Sequence, residues 1–228
     1  MYLLTVSKGY QIFQKVPFSI KKHIFVVSLL LSSSTLFAQN TSTSAPPAAS
    51  TQTDITTPKK NNAPKIKIVD GSPMSSAQDI AQNIAAAKQF SIFHDAITAT
   101  NLTETFESTG PITVFAPVDS AFKKLTKDKL DSLLDPKNKF NLINMLTYHA
   151  IAGKLSSKDI DKKIKEGKGQ AVFITLAGGK LTATINQNRN IVLTDENGGQ
   201  SVISIFDIGQ SNGLIDVITA VLIPKNKI

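Results

Sequence analysis

The sequence predicts an α+β domain with a largely antiparallel sheet, and three observations point there. Segments with apolar residues at helical spacing fill the first half of the globular part. Short β-branched runs divided by turn residues fill the second half. The regular strand–helix alternation that a parallel α/β enzyme fold needs is missing.

The elements follow in order. Ile80, Ile84 and Ala87 recur at helical spacing behind Asp79, a residue type suited to start a helix. Ile92, Phe93, Ala96 and Ile97 make a second apolar face that ends near Asn101. Residues 112–115 form one early strand. Asp119 stands where an N-cap belongs, after Ala116-Pro117 and ahead of Ala121, Phe122 and Leu125. Pro136 suits the first turn of a longer helix through Phe140, Ile143, Leu146 and Thr147. Ser156-Ser157-Lys158-Asp159 has a capping-box pattern and opens a basic helix. Strands are predicted over 171–176, 181–185, 191–194 and 202–206, with turns at Gly178-Gly179, 186–190 and Asn197-Gly198-Gly199. The apolar run 214–223, closed by Pro224, is the final strand.

The 228 residues carry 25 Lys plus Arg against 17 Asp plus Glu, a formal charge of +8. Much of that excess lies at the start. Residues 1–38 contain no Asp or Glu but do contain Lys8, Lys15, Lys21 and Lys22. Lys21-Lys22-His23 precede the apolar run 24–31, then Ser32 to Phe37 and the small residue Ala38, the pattern of a secretory signal peptide cleaved after Ala38. The run falls short of the ~20 residues that span a bilayer, so no stable membrane insertion is expected after cleavage. Removing 1–38 leaves 21 basic against 17 acidic side chains, a balance of +4. Residues 39–67 are rich in Ser, Thr, Pro, Asn and Gln, and are read as a disordered linker. Residues 68–228 show no internal repeat and make one domain. The expected location is outside the cytoplasm: periplasmic, secreted or cell-surface associated.

Composition excludes several functions. The chain has no Cys, which rules out disulfides, thiolate zinc sites and a Cys nucleophile. Three His are too few for a dedicated His-based metal site, and the absence of Trp removes Trp-stacked carbohydrate sites. No metal and no cofactor are expected. Lys154, Lys158, Lys162, Lys163, Lys165 and Lys168 are interleaved with Asp159, Asp161 and Glu166, which reads as a solvated helix face and not as a nucleic-acid surface. Asp195-Glu196-Asn197-Gly198 lacks the acidic alternation of a calcium loop and reads as a hairpin turn. Gly178-Gly179-Lys180 lacks the first Gly of a phosphate loop and lies between strands.

Three ordered stretches resemble the fasciclin family, in its secreted bacterial single-domain form. The first is Thr113-Val114-Phe115-Ala116-Pro117-Val118-Asp119-Ser120-Ala121-Phe122, the second Tyr148-His149, and the third runs from Ser211-Asn212-Gly213-Leu214 through Asp216 to Pro224. Val69-Asp70-Gly71-Ser72-Pro73-Met74 also resembles the opening segment of bacterial members. The resemblance covers 68–228. It implies an antiparallel β-sandwich or wedge with a layer of helices, and an extracellular life in adhesion.

On that basis Thr113, Phe115, Ala116, Pro117, Asp119, Phe122, Asn212, Gly213, Asp216 and Pro224 are signature positions, with fold ahead of function as their task. Asp216 departs from the His that the family usually has there, so its polar network must be rebuilt or the side chain must face water. Tyr148 and His149 inherit a binding role from the family, beside the plainer reading of a buried hydrogen-bonded pair locking helix to sheet. The function implied is non-enzymatic: a secreted or cell-surface adhesion protein that binds extracellular polysaccharide, matrix protein or another cell. The alternative is an extracytoplasmic carrier of a small apolar ligand.

Overall fold

The computed structural model describes residues 63–108 and 110–225. The expected signal peptide 1–38, and the expected linker 39–67 apart from its last residues, lie outside the described residues.

Two strands that the sequence reading left out come first. β1 (Ile66–Val69) and β2 (Ser72–Ser75) form a hairpin, so structure begins two residues inside the expected linker. Its turn is Asp70-Gly71, both at positive φ (43° and 81°), the Asp-Gly geometry that matches strand twist. Ile66 and Ile68 point outward and Pro73 interrupts the second strand, so the usual alternation was hidden.

The helical half follows. α1 (Ile80–Ala86) starts at Asp79, whose carboxylate accepts from Gln82 N at 2.8 Å while Gln82 reaches back to the Asp79 amide. A 3-10 turn (Lys88–Phe90) leads into α2 (Ser91–Thr100), which ends on Asn101 in the left-handed conformation. α3 (Thr103–Glu107) is a short turn that buries only Phe106. β3 (Ile112–Pro117) then runs through the centre with all six residues buried. Asp119 is not the N-cap of the turn it opens, α4 (Asp119–Phe122), where Val118 takes that place. Its carboxylate instead accepts from Ile92 N at 2.9 Å and Ser91 Oγ at 2.6 Å, so it caps α2 from across the fold. α5 (Lys127–Leu134) was not anticipated because none of its residues is fully buried and its apolar stripe is thin. The expected helix after Pro136 divides into a 3-10 turn (Pro136–Asn138) and α6 (Lys139–Tyr148), with Phe140 exposed and Leu142, Met145 and Leu146 facing inward.

β4 (Ala150–Ala152) and α7 (Ser157–Glu166) come next, the latter with the Ser156–Asp159 capping box. The strand half is β5 (Gln170–Ile174), β6 (Lys180–Ile185), β7 (Ile191–Thr194), β8 (Gln200–Gln210) and β9 (Gly213–Ile218). The last strand ends earlier than the apolar run 214–223. Beyond it the Leu222 and Ile223 amides bond to side chains, His149 and Asp195, in place of a neighbouring strand.

These strands make one sheet in the order β4-β3-β9-β8-β7-β6-β5. Every pairing is antiparallel except the central β3–β9 pair, which is parallel. A bridge between Ile151 and Thr175, with Leu176 N donating to Ala150 O at 2.8 Å, brings the two edges together into a nearly closed wedge. Apolar side chains gather in two clusters. Val114, Ala116, Ile215 and Val217 join α1, α2 and α6 in one, and Phe115 and Ile218 join α7 and β5–β7 in the other. Successive residues of β3 and β9 thus feed opposite clusters, as strands buried on both faces must.

Gly213 opens β9 directly against β3. A Cβ there would lie 1.9 Å from the Ile112 carbonyl oxygen. Gly213→Ala is expected to destabilise the protein by about 2 kcal/mol, lowering Tm by roughly 4–8 °C, as read by calorimetry of the purified protein.

Candidate functional site

α6 ends at Tyr148 and passes straight into β4, so the Tyr-His pair lies at the junction of helix and sheet. Both side chains are fully buried, at 0% exposure. His149 Nδ1 contacts the Met145 carbonyl at 2.8 Å, and Nε2 accepts from Leu222 N at 3.1 Å. Because Nε2 must accept, the ring proton belongs on Nδ1 and is donated to Met145. Burial pushes the imidazole pKa down to about 4 against the pull of that carbonyl, so the ring is neutral. The Tyr148 hydroxyl donates to Lys180 O at 2.5 Å, and burial pushes its pKa up to about 12. Gly179 lies so close under the ring that a Cβ would come within 2.7 Å of it.

The turn between β7 and β8 completes this junction. Asp195 Oδ1 accepts from Asn197 N at 2.9 Å and Gly199 N at 2.7 Å, closing the turn on itself. Its other oxygen accepts from Ile223 N at 2.9 Å, and Asn197 Nδ2 donates to Ile223 O at 2.8 Å. Glu196 Oε1 accepts from Lys180 N at 3.1 Å. Asp195-Glu196-Asn197-Gly198 is therefore a hairpin turn whose acidic oxygens are occupied by backbone amides. Among the described residues no three His, Cys, Asp or Glu gather as metal ligands.

A groove of about 720 Å³ opens beside this junction, between α5 and α6 on one wall and the 195–200 turn and the 220–224 segment on the other. Leu125, Leu133, Met145, Val221 and Ile223 contribute apolar surface to it, and Lys124, Lys129 and Asp128 lie along it. Met145 and the 221–223 segment are the two places that His149 ties together. His149 thus fixes the groove from behind, and neither it nor Tyr148 lines its surface.

The remaining signature positions are structural joints. Thr113 Oγ1 donates to Gly153 O at 2.8 Å and accepts from Leu155 N at 2.9 Å. Asn212 Oδ1 accepts from Ile80 N at 3.0 Å, and its Nδ2 donates to Phe106 O at 2.7 Å and Ser108 O at 3.0 Å. Phe115, Ala116 and Phe122 are core residues, Pro117 ends β3, and Pro224 is buried along the groove. Asp216 does not face water: it is fully buried in β9, with Oδ1 accepting from Asp207 N at 2.8 Å. Burial lifts its pKa to about 7, opposed in part by that amide and helped by the Asp207 charge.

Ordered boxes, a nearly closed sheet and a buried Tyr-His joint agree with a comparison of sequences: the family model for the fasciclin domain matches residues 88–224. The chain belongs to the fasciclin family. This fasciclin protein is 32% identical over 161 residues to protein sll1483 of Synechocystis sp., covering 70% of this chain and 81% of that one. It is also 32% identical over 136 residues to transforming growth factor-beta-induced protein ig-h3 of Oryctolagus cuniculus, covering 60% of this chain and 18% of that one. Its fold is similar to a solved FAS1 domain pair from the insect cell adhesion molecule fasciclin I, with a TM-score of 0.57 and 17% identity, over 64% of this chain and 51% of that one. No helix among the described residues is long and apolar enough to cross a membrane.

Sequence reasoning missed two joints. Asn83, buried at 0% exposure, accepts from Ser75 N at 2.8 Å and donates to Ser75 O at 2.9 Å and to the Gln210 side chain. An Asn on the apolar side of a helix was the available signal. Asp195 was the other: its hairpin turn was legible in Asp195-Glu196-Asn197-Gly198, but its bond to the Ile223 amide was not.

Two measurements follow. Asp195→Ala strands three backbone amides and is expected to cost about 2–3 kcal/mol, with faster proteolysis near the 220–225 segment. The second concerns pH. His149, with a lowered pKa, contributes stability that is present above about 6.5 and lost as pH falls toward about 4. Asp216, with a raised pKa, contributes stability that is present below 3.8 and lost as pH climbs to about 7. Between these limits the two trends oppose each other. Urea unfolding of Asp216→Asn is expected to unmask the His149 trend, a rise with pH on the order of 2 kcal/mol from about pH 4.5 to 6.5.

Proposed function

We propose that this fasciclin protein is exported with 1–38 as its signal peptide, carries 39–67 as a spacer, and uses 68–228 to adhere to an extracellular polysaccharide, matrix protein or another cell. The observation that carries this reading is the fate of the signature side chains. Thr113, Asp119, His149 and Asn212 spend their hydrogen-bonding groups on backbone amides and carbonyls or on joints between elements. The boxes that define the family thus build a scaffold, and recognition falls to its surface. A description of the similarly folded fasciclin I as an insect cell adhesion molecule is consistent with it. Tyr148 and His149 serve binding from within, by setting the surface above them.

The outward face of β5–β8 is the surface that suits contact. Val172 and Ile174 are 53% and 59% exposed, and Thr182, Thr184 and Thr194 lie beside them across the ladder. α7 packs on the other side, against the cluster that contains Leu181 and Leu193. Protein recovered after export is expected to begin at Gln39 on N-terminal sequencing. It is expected to bind glycan, matrix or whole-cell panels saturably at both low and high salt. Val172→Lys with Ile174→Lys should leave Tm nearly unchanged, as exposed substitutions do, while weakening binding about tenfold or more. Binding that disappears with salt would reduce the interaction to charge.

A second reading, a carrier of a small apolar ligand, is favoured by one observation, the groove of about 720 Å³ beside Met145 and Ile223. That volume lies within the range of small-molecule sites. Saturable enhancement of an apolar fluorophore, abolished by Leu133→Glu, would move this reading ahead of adhesion.

A further inference from the structure

β8 and β9 slip register at two places, beside Ser204 and again beside Phe206 and Asp207. Ile205 pairs with Val217 and Ile208 with Ile215, so Phe206 and Asp207 together stand opposite Asp216. A bulge of this kind leaves backbone groups without ladder partners, and side chains take them here. The Asp207 amide donates to Asp216 Oδ1 at 2.8 Å, and Lys67 of β1 donates to the Phe206 carbonyl. Asp207 itself is at positive φ (56°), which turns its carboxylate away from the sheet. That carboxylate accepts from Ser157 N at 2.8 Å and Ser157 Oγ at 2.5 Å, at the first turn of α7. One residue, Asp207, therefore joins a buried carboxyl on one side to a helix start on the other.

Asp216 Oδ2 is the one buried side-chain polar atom among the described residues with no partner. Ile218, two residues on and on the same face of β9, belongs to the cluster that Ile160 and Ile164 of α7 complete. A proton on the carboxyl suits this place, and a full charge does not. The charged groups acting on Asp216 are Asp207 of β8 and Lys67 of β1. β3 sets Phe115 against it and α7 brings the uncharged Ser157 to the junction.

We propose that Asp216 and Asp207 form a proton-operated latch between the β8 bulge and the start of α7. With Asp216 protonated the bulge is closed and Asp207 caps the helix. Release of the proton favours an open form in which the start of α7 lifts, water reaches the carboxylate, and the two acidic groups separate. The open form needs no proton and the closed form keeps one, so opening rises with pH until the closed form itself ionises, and then levels.

Hydrogen exchange of the whole protein, corrected for intrinsic rates, tests this between about pH 4.5 and 8. Peptides spanning 155–160 and 204–209 are expected to lose protection relative to β6 and β7, up to about tenfold per pH unit, and then to level near neutrality. Asp216→Asn should remove the pH dependence from both segments together. Asp207→Asn keeps a capping oxygen but removes the neighbouring charge, so the levelling point should move to lower pH. If Asp216→Asn fails to fold, that displacement alone decides. Protection that does not change with pH in the wild type, or the same profile in both variants, overturns the latch.

Discussion

The parallel pairing of β3 with β9 is the constraint on which the rest of the structure depends. The two strands are about a hundred residues apart in the chain, yet they run side by side from Ile112–Gly213 to Pro117–Ile218. The pair is buried on both faces, so it separates one apolar cluster from the other while belonging to both. Such closeness requires a residue without a side chain at the point of entry, and Gly213 supplies it. Asn212, one residue earlier, reaches α1 and the end of α3, so the same turn that starts β9 also positions the helical layer. Loss of this pairing would leave the helices with half a floor and the strands without a centre.

The interior is held by side chains that finish what secondary structure leaves undone. Asp119 caps a helix that is not its own, Thr113 bridges the 153–155 loop, His149 takes the Leu222 amide, and Asp195 closes a turn while anchoring Ile223. Each satisfies a backbone group where a strand or helix has ended, and a buried amide without a partner costs about 1–3 kcal/mol. Three of the signature side chains, Thr113, Asp119 and Asn212, are used in this way, while Phe115, Ala116 and Asp216 lie inside strands. Such bonds also explain how the groove beside the 220–224 segment keeps its shape, since neither wall depends on a strand partner.

Charge is distributed with the same economy. The exposed ion pairs, Lys127–Asp131 and Lys165–Asp161 among them, are solvent-facing partners one helical turn apart and contribute little. The consequential groups are two of the buried titratable ones, His149 and Asp216. His149 is made neutral by burial and is used at both nitrogens, whereas Asp216 is buried with one oxygen unserved. One stabilises the joint between α6 and the 221–223 segment, and the other is placed where the β8 bulge and α7 meet.

Local chemistry determined much of this protein in advance. Asp79 and Ser156 started their helices, the β-branched runs became strands, and the signature boxes announced the fasciclin fold, because these signals act over a few neighbouring residues. Only the tertiary structure decided that Asp119 would cap α2, that Asn83 and Asp195 would be joints, and that Tyr148 and His149 would be buried instead of lining the groove. It also decided that Asp216 would be enclosed, since a strand's pattern gives the alternation of its faces but not what covers each of them. The physical reason is the same in each case. A hydrogen bond or a burial between residues tens of positions apart depends on which surfaces pack together, and the closing of the sheet around β3 and β9 sets that packing.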